Sequence, residues 1–193
     1  METIFLVRHA PTAANASGIF QGQSDVPAEP IEDPGHFRVA DPRPRTIYTS
    51  PLQRARTATE LLFPGEPFMI DARLMERSVG EWEGLDHETV RRRWPEYGTS
   101  KVDLMLTPPG GESLNEFVTR VKDFLEDLPS GTGDTYVVTH NGWIRVALML
   151  NQEVVPSRLF AESTPFLVPI PYTPRHPVGE DLSVQVTTQY CTP

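Results

Sequence analysis

Short apolar runs, each ending in polar residues, recur along the chain, and between them lie stretches with apolar positions three and four apart. Residues 3–7 (TIFLV) are apolar and partly β-branched and give way at once to Arg8, His9 and Pro11, the pattern of a buried strand. Residues 47–49 predict a second short strand. It runs into Ser50-Pro51, read as an N-cap with proline at the first helical position, so a helix is expected over 51–62. Its Leu52, Ala55, Thr59 and Leu62 share one side, while Gln53, Arg56 and Glu60 face water. Residues 88–94 predict a polar helix stopped by Pro95. Residues 113–128 predict a longer one, with Leu114, Phe117, Val121, Phe124, Leu125 and Leu128 at helical spacing and a Ser113/Glu116 capping box. A β-branched strand at 135–139 and a packed helix at 142–150 follow. Residues 166–170 and 182–188 read as strands that extend the sheet. This order predicts an α/β fold, a three-layer α/β/α sandwich around a mostly parallel central sheet. With no internal repeat or long linker, a single domain over 1–193 is expected.

Composition changes this picture in few places. Prolines number 20, about twice ordinary usage, and gather at 27–44, 95–109 and 156–177, which read as loops. A net charge of −9 speaks against a nucleic-acid partner, which needs a basic face to displace counterions. The single cysteine, Cys191, cannot form an internal disulfide. The apolar run at 4–7 is too short for a signal-peptide core or a membrane span, so a cytoplasmic protein without membrane contact is expected.

The candidate chemistry sits at strand ends, where ligands bind in open α/β sheets. Arg8 and His9 follow the first strand, and His140 closes the TYVVTH run. One histidine at a strand end is more often structural. Two in matched settings would converge on one site if their strands are neighbours. Neutral imidazole is nucleophilic, and its ordinary pKa of about 6.5 lets small environmental shifts set its charge. A phosphoryl group spreads negative charge over three oxygens, and the planar fork of arginine matches it. Arg8 and Arg54 are the candidates for that clamp.

In order along the chain, RHAPTAAN, FQGQSD, IYTSPLQRARTA, LMERSVGEWEGL, PGGES and VVTHNGWIR resemble the motifs of the histidine phosphatase superfamily, which includes the cofactor-dependent phosphoglycerate mutases. The resemblance runs from residue 4 to about 150 and implies a phosphoglycerate mutase-like fold. It implies that His9 accepts the phosphoryl group, that Arg8 and Arg54 clamp phosphate, and that His140 is a further phosphate contact. Glu76 is implied as proton donor to the leaving alcohol, a step a carboxylic acid suits because an alkoxide leaves poorly. The backbone N–H of Asn141, with Asn15, Gln21 and Gly22, is implied in contacts to phosphate or substrate. Two departures stand out: Ala10 replaces the glycine that usually follows the histidine, and prolines interrupt the helix expected after Val26, which would be short or begin only near Gly35.

The resemblance favours the phosphatase branch: a phosphomonoesterase for a small phosphorylated metabolite, forming phosphohistidine on His9. The alternatives are a mutase-type phosphoryl transferase and a non-catalytic phosphate-binding protein. The mutases resemble longer chains with an insertion after the acid block, and GEWEG is commoner wording among the phosphatases. His36, His87 and His176 form no ligand pair at metal-site spacing, so no cofactor and no metal are expected. The chain is expected as monomer or homodimer. Residues 87–113 should overhang the pocket. They carry Arg91, Arg92, Arg93, Trp94 and Tyr97, which would meet an anionic or ring-bearing substrate or else form a solvated helix face.

Overall fold

A computed structural model describes residues 3–33, 38–39, 44–97, 106–129, 133–151 and 163–174. Gly35, His36, His176, Cys191 and the strand expected at 182–188 lie outside the described residues. Among the described residues five strands form one sheet: β1 (Ile4–Arg8), β2 (Arg45–Thr49), β3 (Met69–Ile70), β4 (Asp134–Thr139) and β5 (Pro169–Tyr172), in the order β3-β2-β4-β1-β5. The first four are mutually parallel, and β5 runs antiparallel to β1. The strand expected at 166–170 therefore begins later, with Phe166 making only an isolated bridge to Arg8.

Alternate strand residues point to opposite faces, and each face is covered. Leu6 and Val137 pack under α4 (Leu114–Glu126) and α5 (Asn141–Leu150), with Phe117, Val121, Phe124, Trp143 and Ile144 completing that core. Val7, Ile47, Tyr136 and Val138 pack against Ala55, Ala58 and Leu62 of α2 (Gln53–Leu62) on the other face. Helices on both faces of a mostly parallel sheet make the expected three layers. The capping box on α4 forms, with the Ser113 hydroxyl accepting from Glu116 N and the Glu116 carboxylate accepting from Ser113 N.

Two boundaries differ from expectation. The helix expected from Pro51 starts at Gln53, and its N-cap is Leu52, with no side-chain cap bond. Ser50 faces inward instead, where its hydroxyl meets His140. The described residues also form two short helices, α1 (Ala13–Ala16), capped by Thr12 and Asn15, and α3 (His87–Arg93), capped by Asp86. Arg91, Arg92 and Arg93 are exposed, as a solvated face predicts. No described helix is long and apolar enough to cross a membrane.

Candidate active site

Parallel pairing of β1 with β4, in the register Arg8↔Thr139, brings the residues that follow these strands side by side. The His9 N–H donates to the Thr139 carbonyl at 2.8 Å, and the rings of His9 and His140 lie 5.0 Å apart. β2 ends beside them, with the Ser50 N–H on the Val138 carbonyl at 3.0 Å. Three strands thus deliver Arg8, His9, Ser50 and His140 to one edge of the sheet.

His9 is 4% exposed, and its Nδ1 stands 2.6 Å from the Ala10 carbonyl oxygen. A carbonyl only accepts, so Nδ1 carries the proton and the lone pair is on Nε2. Burial pushes its pKa down to about 3, with Arg54 and Arg8 acting in the same direction against the Ala10 carbonyl. Ala10 is itself fully buried, and its backbone does not take the left-handed conformation that would call for glycine. The replacement of glycine there is thereby accommodated.

Arg54, 1% exposed on the buried side of α2, donates to the carbonyls of Ser24 at 2.7 Å and Gly22 at 2.8 Å and, through Nε, to His140 Nδ1 at 3.3 Å. With Nδ1 accepting, His140 Nε2 carries the proton and donates to Ser50 Oγ at 2.9 Å. His140 is fully buried and held well below the ordinary imidazole pKa by that burial, with His9 and Arg54 adding to the effect. It stands behind Arg54, with both nitrogens engaged.

Arg8 donates through Nη1 to Ser163 Oγ at 2.7 Å and to the Thr164 carbonyl at 2.8 Å, and its guanidinium lies 3.7 Å over the Phe166 ring. Its Nε–H is buried with no partner among the described residues. Burial lowers its pKa to about 10, which leaves it cationic, and Glu76 opposes the shift. Burial likewise lowers Arg54, against Glu76, Asp25 and Glu83.

Glu76 reaches the same cleft from the loop after the 3-10 turn Ala72–Leu74. Its carboxylate accepts from Arg77 N through Oε1 and from Gly142 N through Oε2, each at 2.9 Å. The loop is pinned by Arg120 of α4, which donates to the carbonyls of Arg73, Met75 and Glu76 while pairing bidentately with Glu112. A bidentate pair of this kind fixes direction as well as charge.

The cleft has a volume of about 300 Å³ and is lined by Arg8, His9, Asn15, Gln21, Gly22, Arg54, Glu76 and Asn141, and by the aromatic residues Phe20, Trp82, His87 and Tyr97. Asn15 and Gln21 both meet Thr12, whose hydroxyl oxygen lies 2.9 Å from Asn15 Oδ1 and 2.9 Å from Gln21 Oε1 and donates its one hydrogen between them. Gly22 has φ +49°, and a side chain there would run into Val79 and Glu83. Asn141 uses Oδ1 to accept from the Thr164 backbone and hydroxyl, tying the start of α5 to the segment that holds Arg8.

All nine residues singled out in the sequence thus meet at one place, eight lining the cleft and His140 behind it. Ser50, Arg77, Arg120, Ser163, Thr164 and Phe166 also shape the site and carried no signal beyond their residue type. No three or more His, Cys, Asp or Glu among the described residues are grouped to hold a metal ion.

Comparison with known proteins identifies the family. Residues 4–163 match the model of the histidine phosphatase superfamily (branch 1). A "Putative phosphoserine phosphatase 2" of Hydrogenobacter thermophilus is 32% identical over 166 residues, covering 78% of each chain. A 2,3-bisphosphoglycerate-dependent phosphoglycerate mutase of Bradyrhizobium is 27% identical over 190 residues, covering 88% of this chain and 90% of its own. The crystal structure of TTHB049 from Thermus thermophilus superposes with a TM-score of 0.70 at 29% identity, over 88% of this chain and 92% of the other. Coverage of the mutase nearly from end to end removes compactness as a way to tell a phosphatase from a mutase. Two histidines on neighbouring parallel strands, two buried arginines and a family model spanning most of the chain lead to one assignment: the chain belongs to the histidine phosphatase superfamily, whose members similar to it are named as phosphatases and mutases.

Proposed function

We propose that the chain is a phosphomonoesterase that hydrolyses a small phosphorylated metabolite through a phosphohistidine on His9. The observation that carries this is the His9–Ala10 hydrogen bond, which leaves Nε2 unprotonated in a cleft it shares with two buried guanidiniums and a carboxyl group. Nε2 attacks phosphorus, the P–O bond to the alcohol breaks, and the departing oxygen takes a proton from the Glu76 carboxylic acid. Water then attacks the phosphohistidine, its proton passing to the Glu76 carboxylate. The P–N bond breaks, and inorganic phosphate and neutral His9 are restored.

Arg8 keeps both Nη2 hydrogens for phosphate oxygens, since its described bonds use Nη1 alone. Arg54 keeps one hydrogen on each Nη. Preorganised donors of this kind act on charge as it develops in the transition state. His140 acts through Arg54, whose Nε it orients, with Ser50 holding its tautomer.

Hydrolysis is favoured over mutase chemistry by the small number of cations in the cleft. A mutase must hold a second anionic group of its substrate, and among the described lining residues Arg77 is the one guanidinium outside the clamp, with Nε and Nη2 already on the carbonyls of Glu112 and Leu106 at 2.8 Å each. A relative named for phosphoserine phosphatase activity points the same way. The cleft volume lies at the small end of the roughly 300–1,000 Å³ typical of ligand pockets, which favours a metabolite over a phosphoprotein.

The test is phosphate release from a broad panel of phosphomonoesters by the wild type and by His9→Ala. Loss of at least 1,000-fold in the variant is expected; equal release by both would remove the covalent mechanism. Adding 3-phosphoglycerate with its bisphosphate cofactor to the same panel tests the mutase reading, and chelator in the assay is expected to leave release intact.

A further inference from the structure

Four aromatic side chains, Phe20, Trp82, His87 and Tyr97, line the cleft together. Phe20 and His87 lie 4.4 Å apart between centroids, Trp82 and Tyr97 4.8 Å, and Phe20 sits 5.6 Å from Trp82 and 5.9 Å from Tyr97. Trp82 and Tyr97 are buried and form the floor of this cluster together with Val90. Phe20 is half-buried and His87 is exposed, so these two form its rim. The rim is built to keep its shape: His87 Nδ1 is 2.9 Å from the Tyr97 hydroxyl, and Phe20 is tied through its N–H to the Leu85 carbonyl at 2.9 Å.

The charge pattern around these rings narrows what they can hold. Partial burial and the Arg91 guanidinium keep His87 below the ordinary imidazole pKa, against Asp86, so the ring is neutral at pH 7. Among the described lining residues Arg77 is the one guanidinium outside the phosphate clamp, and it already donates to two carbonyls, so a substrate carboxylate meets few cations there. A cationic head group meets the opposite problem, because Arg91 already lies 5.9 Å over the Tyr97 ring. Neutral rings stack on neutral rings without either penalty.

We infer that the alcohol half of the substrate carries a flat, neutral aromatic or heteroaromatic ring, seated on the rim of Phe20 and His87. This rests on the proposed phosphomonoesterase reading for the phosphate half. It predicts discrimination against serine-, glycerate- and choline-type phosphates, which offer a carboxylate or a cation where the cleft offers rings.

The experiment compares kcat/KM for benzyl phosphate and adenosine 5′-monophosphate with that for O-phosphoserine, 3-phosphoglycerate and phosphocholine. All five release primary alcohols, so leaving-group acidity is nearly matched. The ring-bearing esters are expected to be favoured at least tenfold, mainly through KM. Phe20→Ala should lower that ratio by about tenfold, a typical loss for removing one stacking partner; His87→Ala, at the exposed rim, repeats the test on the second ring. A higher kcat/KM for phosphoserine, 3-phosphoglycerate or phosphocholine, or a ratio that neither variant moves, overturns the inference. Calorimetric binding of the same five esters to His9→Ala separates the two proposals. If no ester is turned over by the wild type but the ring-bearing ones still bind at least tenfold tighter, the hydrolase reading fails and the ring site stands. Turnover without ring preference leaves the hydrolase and removes the ring site.

Discussion

Gly142 offers a way to move the proposed acid without touching it. It is the second residue of α5, and its N–H holds Glu76 Oε2 at 2.9 Å. A Cβ built there falls onto Glu76 Oε1, with the carboxyl carbon at 3.1 Å and Oε2 at 3.2 Å. Gly142→Ala must therefore push the carboxyl group aside and break the bond that aims it. The stability terms nearly cancel: alanine gains up to about 0.5–1 kcal/mol over glycine in a helix, and the lost hydrogen bond costs about 1–3 kcal/mol. Urea unfolding should shift by no more than about 2 kcal/mol. Catalysis should suffer far more, because a positioned acid contributes roughly 10²–10⁴-fold. The loss must also depend on the leaving group. An alkyl phosphate needs the proton and should lose about 100-fold or more in kcat, whereas p-nitrophenyl phosphate, whose alcohol leaves readily as an anion, should lose less than about tenfold. Equal losses on the two esters, or none on either, would show that Glu76 does not protonate the leaving oxygen.

Two further perturbations follow from the same geometry. The folded pKa of His9, about 3, lies below its unfolded value of 6.5, so the unfolded chain binds the extra proton and the stability His9 contributes is intact above pH 6.5 and lost as pH falls toward 3. Between pH 7.5 and 5 this amounts to about 2 kcal/mol, and urea unfolding of His9→Gln should show a pH dependence shallower by that amount; parallel curves would mean that His9 is not held neutral. Arg54→Lys removes the fork that holds the Gly22 and Ser24 carbonyls while keeping a charge, so kcat/KM should fall at least 100-fold and stability by about 1–3 kcal/mol. Full activity in that variant would mean that charge alone, without the fork, serves the phosphate.

The parts legible in the sequence were those written in local periodicity or in short motifs. β1 and β4 are strands of five and six residues built on the apolar runs 4–7 and 136–138, and their ends deliver His9 and His140 directly. The two-residue β3 is too short to show a period, and its side chains are exposed, so no burial pattern marks it. Ser50 followed by proline carried the usual signs of a helix start, yet tertiary demand overrode the local preference: a buried histidine needed an acceptor at 2.9 Å, and Ser50 supplied it. The network that aims Glu76 was illegible for a different reason. Arg120 reaches backbone carbonyls 44 to 47 positions away, and carbonyls are common to every residue, so no pattern of side chains records the contact.

Charge explains why this arrangement suits one reaction. Arg8 and Arg54 are buried, and among the described residues they hydrogen-bond only neutral acceptors, a costly placement for a cation. Glu76 is the carboxyl group that offsets both. On the proposed chemistry, Glu76 entering as the acid leaves two positive charges to face a phosphate dianion, so the protonation state needed for leaving-group departure also balances the charge of the bound ester. Once the proton has gone to the alcohol, the same group is a carboxylate beside the phosphohistidine, the form required to take a proton from water. The arginines act on the histidine as well. Their field adds to burial in keeping His9 unprotonated, so the cations that draw in the phosphate also preserve the lone pair that attacks it.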